Sequence, residues 1–118
     1  MGRYVDSFLI PVPRKNMKKY LQMARASAKA WKKAGALSYV ETVADDVAKG
    51  KITSFPRSVK LKGGETVIFS YAVYKNRAHR DRVMKKVMKD KKLMGMWENM
   101  PFDGMRMIWG GFKTVVSL

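Results

Sequence analysis

The chain has no cysteine, one histidine and nine acidic residues against 25 lysines and arginines. The missing cysteine removes thiol nucleophiles, disulfides, iron–sulfur ligation and thiolate zinc sites, and is compatible with a reducing cytoplasm. The single His79 has no second ligand at metal spacing, so no metal or cofactor site follows. Long hydrophobic runs are absent too. The opening MGRYVDSFLIPVPRK holds an apolar run of only about six residues broken by prolines, too short for a signal-peptide core or a membrane span. Its Met-Gly start does not make a myristoylation motif, because Asp6 stands where Ser or Thr is required. A soluble cytoplasmic protein with no membrane partner is expected.

What is abundant is positive charge, and it is concentrated. Of the formal +16, eight cations and no acid lie between Arg14 and Lys33, and nine cations with only Asp81 and Asp90 lie between Lys75 and Lys92. Both segments read as amphipathic helices. In the first, Met17, Tyr20, Leu21, Ala24, Ala28 and Trp31 recur at helical spacing, with Lys15, Lys18, Arg25, Lys29 and Lys32 opposite and Gly35 as the stop. The second, NRAHRDRVMKKVMKDKKLM, reads as one helix with Asn76 as N-cap and Val83, Met84, Val87 and Met88 on a stripe.

Four runs rich in β-branched and aromatic residues complete the pattern: YVDSFLIPV, ALSYVETVA, TVIFSYAVY and MRMIWGGFKTVVSL. The order β-α-β-β-α-β predicts an α+β, ferredoxin-like protomer, a single domain spanning residues 1–118, with one antiparallel sheet and both helices on one face. Residues 46–64 form a long polar connection of a length more usual for a lid, an added hairpin or an interface arm. Both alternating sets of the third run are apolar, Val67, Phe69, Tyr71 and Val73 against Ile68, Ala72 and Tyr74. Helices cover one face only, so the other predicts a homodimer with two sheets packed face to face.

The blocks YVDSFLIPVP, Gly35-Ala36-Leu37, ETVADD, GKITSF and MPFDGMRMIWGGF occur in order along nearly the whole chain. In them the sequence resembles the YbaA-like family of small uncharacterised bacterial proteins. That resemblance implies the dimeric α/β-barrel superfamily, which includes antibiotic-biosynthesis monooxygenases, haem-degrading enzymes and muconolactone isomerases. It brings no catalytic residues to carry over. Haem-degrading members supply an axial histidine late in their second helix, where this chain reads LMGMWEN.

Several residues invite a chemical reading beside a structural one. Asp6 lies within the first strand, where a carboxylate needs a partner; Arg106 of the adjacent last strand is the expected one, making Asp6 either a pocket acid or half of a structural ion pair. Arg80 shares the stripe of Val83, Met84 and Val87 and so faces the sheet, where it could hold a carboxylate or phosphate, or pair with Glu41, Asp45 or Asp46. Seven of the ten methionines fall between Met84 and Met107, a pattern of core filling more than of soft-metal binding. Tyr39, Tyr71, Tyr74, Trp97 and Trp109 either line a cavity or form the core and dimer face.

The segment NMPFDGMRMIWGGF lacks the ending of a phosphate loop and no helix follows its glycines. Pro101 is expected to stop the preceding helix, Asp103-Gly104 to turn the chain, and Gly110-Gly111 to mark a bulge or close approach of backbones.

The functional expectation is a pocket between sheet and helices for a small apolar or aromatic anionic compound, bordered by Asp6, Glu41, Tyr71, Arg80 and Arg106, with no reaction assigned. The alternative is polyanion or nucleic-acid binding through Lys15, Lys18, Arg25, Lys29 and Lys32. It is the less favoured, because no RNP, KH or zinc-finger signature accompanies the charge and no aromatic stacking platform stands among the helix cations.

Overall fold

The computed structural model describes residues 2–118. Its elements run β1 (Tyr4–Pro13), α1 (Met17–Ala34), β2 (Ser38–Val43), α2 (Phe55–Ser58), β3 (Glu65–Tyr74), α3 (Arg77–Val87), α4 (Lys91–Glu98) and β4 (Ile108–Lys113). The four strands form one sheet in the order β2-β3-β1-β4, with every neighbouring pair antiparallel. The α+β, ferredoxin-like topology expected from the sequence is therefore what the chain adopts.

Alternation along each strand sends one set of side chains toward the helices. That set comprises Asp6, Phe8, Ile10 and Val12 of β1, Ile68, Ser70, Ala72 and Tyr74 of β3, Tyr39 and Glu41 of β2, and Trp109 and Gly111 of β4. Ala30, Trp31 and Ala34 of α1, Val83 and Val87 of α3 and Leu93 of α4 close over Ala72 and Tyr74 in one core cluster. Tyr20, Met23 and Ala24 of α1 close over Ile10, Val12 and Ile68 in a second. Each fully buried Val, Leu, Ile or Met among them contributes about 1.5–3 kcal/mol by leaving water, and the alanines less, which holds the helices to this face.

Helix ends follow local chemistry. Gly35 takes φ 105°, and its N–H and that of Ala36 return to the last carbonyls of α1. The Asn76 side chain accepts the His79 N–H at 2.8 Å to start α3. The single second helix expected from the sequence is two. Asp90 accepts the Leu93 N–H at 3.0 Å and starts α4 afresh, so the chain turns between Met88 and Asp90. The buried stripe of α1 is also rotated from the expected one: Leu21 is exposed, while Met23 and Ser27 point inward.

The last strand is shorter than expected and pairs with β1 without interruption from Tyr4↔Lys113 to Leu9↔Ile108, so the paired glycines mark no bulge. Gly111 instead makes room for a side chain. A Cβ there would lie 2.7 Å from Cε2 and 2.8 Å from Cζ of Tyr4, whose ring crosses the strand at that point.

The connection over residues 46–64 is folded back on itself. Ser54 caps the single turn of α2 by accepting the Arg57 N–H at 3.1 Å, and the Arg57 guanidinium donates to the Lys49 carbonyl at 3.0 Å and that of Gly50 at 2.8 Å. Away from the helices, the sheet presents Phe69, Tyr71 and Val73 beside Val5, Leu9, Val40, Ile108 and Phe112. Phe69, Ile108 and Phe112 are exposed.

Candidate functional site

Two neighbouring rungs of the sheet account for a cavity beneath the helices. One rung reads Glu41, Ser70, Phe8, Trp109 across the four strands; the next reads Tyr39, Ala72, Asp6, Gly111. Ser70 is too small to reach the helix layer, and above it lies a hollow about 460 Å³ in volume bordered also by Asp6, Phe8, Tyr39, Glu41 and Trp109 of these rungs. Tyr20, Met23 and Trp31 of α1 form one wall. Met84 of α3, Met88 just beyond it and Trp97 of α4 also line the space, with Trp97 against Trp31, and Met100, Phe102 and Met107 complete the lining. All three tryptophans of the chain border this space. The rings gather in sets: Trp31 lies 5.2 Å from Tyr39 and 5.8 Å from Trp97, Tyr20 lies 5.9 Å from Phe102, and Phe8 lies 6.3 Å from Trp109. Trp109 and Met88 are exposed at the rim.

Against this apolar lining stand two separate carboxylates. Asp6, 1% exposed, accepts from Arg80 Nη1 at 2.6 Å on Oδ1 and from the Tyr74 hydroxyl at 3.0 Å on Oδ2. Tyr74 in turn accepts from Trp31 Nε1 at 2.9 Å. Arg80 Nε donates to Asp81 at 2.8 Å, and its guanidinium carbon sits 5.1 Å from the Tyr4 ring centre. Burial raises the Asp6 carboxyl above its ordinary value, against the opposing pull of the Arg80 charge and the hydrogen bonds from Tyr74 and Arg80. Burial likewise raises the Tyr74 hydroxyl, reinforced by the Asp6 charge.

Glu41 is held differently. Its Oε1 accepts from the Tyr20 hydroxyl at 2.7 Å and its Oε2 from the Tyr39 hydroxyl at 2.6 Å, with no cation within ion-pair distance among the described residues. Both phenols are pushed well above their ordinary range, first by burial and then by the adjacent Glu41 charge.

The structure thus brings Asp6, Glu41 and Arg80 to one cavity and moves two other expected members elsewhere. Arg106 is not the partner of Asp6. It precedes β4, in the turn built by Asp103, whose Oδ1 accepts the Met105 N–H at 3.0 Å. From there Arg106 forms a two-pronged pair with Glu65 at 2.6 and 2.8 Å and also contacts Asp103 at 2.9 Å. Asp6 pairs across β4 with Gly111, which has no side chain to offer. Tyr71 shares the face of Phe69 and Val73, on the side of the sheet away from the cavity. Residues not anticipated as partners, Tyr20 and Tyr39 on Glu41 and Tyr74 on Asp6, complete the polar set; Tyr39 shares the face of Glu41 two residues away, a signal readable from strand alternation. His79 accepts the Lys75 N–H on Nδ1 at 2.9 Å and packs edge-on to Tyr74, so it serves the start of α3. Asp45 and Asp46 are exposed after β2, and among the described residues no three His, Asp or Glu gather as metal ligands. Lys15, Lys18, Arg25, Lys29 and Lys32 are all exposed, and none forms an ion pair among the described residues. Among the described residues no helix is long and apolar enough to cross a membrane.

An antiparallel sheet in this order, with helices on one face and the cavity between the layers, defines a ferredoxin-like protein. Two solved structures from uncultured marine organisms, both described as dimeric ferredoxin-like proteins, share the fold. One aligns with a TM-score of 0.62 at 9% identity over 100% of this chain and 92% of the other, the second with 0.57 at 11% over 100% and 98%. The family model for "Protein of unknown function (DUF1428)" matches residues 3–104, and the chain belongs to that family. It is 41% identical over 115 residues to the uncharacterized protein YbaA of Escherichia coli K12, and to that of Shigella flexneri, covering 98% of each chain.

Proposed function

We propose that the cavity between the sheet and α1, α3 and α4 binds a small, largely aromatic molecule. The observation that carries this reading is a hollow of about 460 Å³ walled by rings and methionines, with polar groups confined to Asp6, Glu41, Arg80, two serines, the tyrosine hydroxyls and the indole N–H groups. Stacking and edge-to-face contacts with the rings supply affinity, the methionines adapt to shape, and the few polar groups fix orientation. The anion expected of the ligand loses one of its two holders, because Arg106 lies outside, and Arg80 is already engaged by Asp6 and Asp81. Because every tryptophan borders the site, intrinsic fluorescence reports its occupancy directly. Nitrobenzyl alcohol, a neutral aromatic quencher, should quench saturably in the parent protein and only collisionally, without saturation, once Ser70→Leu fills the floor. Linear quenching in the parent would refute the reading.

The protein works, in this proposal, as a homodimer in the cytoplasm. Support comes from the continuous apolar outer face around Phe69, Tyr71, Val73 and Phe112, which a second copy would cover sheet to sheet. Sedimentation should give a dimer that Phe69→Lys converts to a monomer; a monomeric parent protein at micromolar concentration would overturn it.

A second reading has its own support: the five helix cations are exposed without acidic partners. If they bind a polyanion, retention on heparin falls steeply with salt and drops when Lys18, Arg25, Lys29 and Lys32 are neutralised together. Retention that survives those four substitutions would eliminate it.

A further inference from the structure

We infer that the cavity selects an organic ammonium, an amine or quaternary ammonium carried on an aromatic body. This rests on the reading of the hollow as a small-molecule site and adds the charge of what enters it. Three features point the same way. First, Glu41 is a carboxylate at the cavity wall without a cationic partner among the described residues; only the hydroxyls of Tyr20 and Tyr39 hold it. Second, those same phenols belong to ring sets on either side of the carboxylate, Tyr39 with Trp31 and Trp97, Tyr20 with Phe102. Ring faces carry negative potential, so an ammonium among them meets attraction from the rings and from Glu41 together. Third, the one cavity cation, Arg80, is offset by both Asp6 and Asp81, so its charge is not available to repel a cation or to draw an anion.

The chain's net charge of +16 does not reverse this preference. The exposed cations of α1 project into water, where charges separated by more than about 8 Å are largely screened at physiological ionic strength. Half-buried Glu41 and the rings act at contact distance against a largely apolar lining, where electrostatic attraction is stronger than in bulk water.

The test compares three probes that share a ring system and differ in charge: naphthylmethyl-trimethylammonium, naphthylmethanol and naphthylacetate. Each is titrated calorimetrically into the full-length protein at one pH and salt concentration. The ammonium should bind about tenfold more tightly than the alcohol, and the acetate more weakly than either. Glu41→Gln keeps the size of the side chain, an acceptor for one tyrosine hydroxyl and a donor to the other, and should cost the ammonium about tenfold more affinity than it costs the alcohol, bringing the two to parity. An alcohol equal to or tighter than the ammonium, or an acetate tightest of the three, overturns the inference and leaves the aromatic site standing. Binding of none of the three to the parent protein overturns both. The parent comparison is decisive even if Glu41→Gln fails to fold.

Discussion

Replacing Arg80 with methionine removes the cation that faces Asp6 and little of the apolar stem. Asp6 is 1% exposed and takes its shortest hydrogen bond, 2.6 Å, from Arg80. Breaking a buried pair from one side leaves an uncompensated charge and costs about 3–5 kcal/mol; the surviving Tyr74 hydrogen bond places Arg80→Met at the low end, about 3 kcal/mol. For a chain of 118 residues that corresponds to about 12 °C in melting temperature. The deficit depends on pH with a definite sign. Burial already raises Asp6 in the folded protein, and loss of Arg80 raises it further. A raised carboxyl costs stability above its folded-state value, and that cost disappears as protonation neutralises it. Urea titrations should therefore show a large gap between parent and variant at neutral pH that narrows as pH falls toward the ordinary carboxylate range of about 4. Asp6→Asn combined with Arg80→Met should recover most of the loss at neutral pH. Equal stability of Arg80→Met and parent at neutral pH, or a gap that widens on acidification, would refute the assignment of Arg80 as the counter-ion of Asp6.

Other expectations follow from particular contacts. Gly111→Ala should destabilise by about 1–3 kcal/mol through collision with the Tyr4 ring, and Tyr4→Ala in the same chain should remove that penalty; a neutral Gly111→Ala in thermal melts would show the ring moves freely. Glu65 is held below its ordinary carboxyl value chiefly by its hydrogen bonds from Arg106, so it contributes stability above the normal carboxylate range that is lost as pH falls through its lowered value. Arg106→Ala should accordingly be less stable than the parent at neutral pH and match it in strong acid, while leaving probe binding in the cavity unchanged. Asp90→Ala removes the cap that begins α4 and should cost about 1 kcal/mol, read by urea denaturation.

Much of the fold was legible because it rests on local pattern. Alternation in the four apolar runs, the stop at Gly35 and the cap at Asn76 each depend on neighbours within a few residues; the stop and the cap appear where the pattern placed them, and each run carries a strand, the last one shorter than its run. The stripe that aimed Arg80 at the sheet is local in the same sense. What could not be read depends on register and on choices between equal faces. Both sets of β3 are apolar, so alternation groups Tyr71 with Phe69 and Val73 without saying which set meets the helices. Arg106 fell to the wrong partner because β4 begins at Ile108, after a turn fixed by Asp103, and a shift of that size decides which side chain stands beside Asp6. The contact of Tyr20 with Glu41 joins residues 21 apart in sequence and requires the packing of α1 on β2, which no local signal encodes.

The most direct measurement of the central claim is a crystal structure of the protein grown with naphthylmethanol. The ring system should lie in the hollow bordered by Trp31, Trp97 and Trp109, above Ser70. A cavity filled by collapsed side chains, with the compound only on the outer face of the sheet, would contradict it.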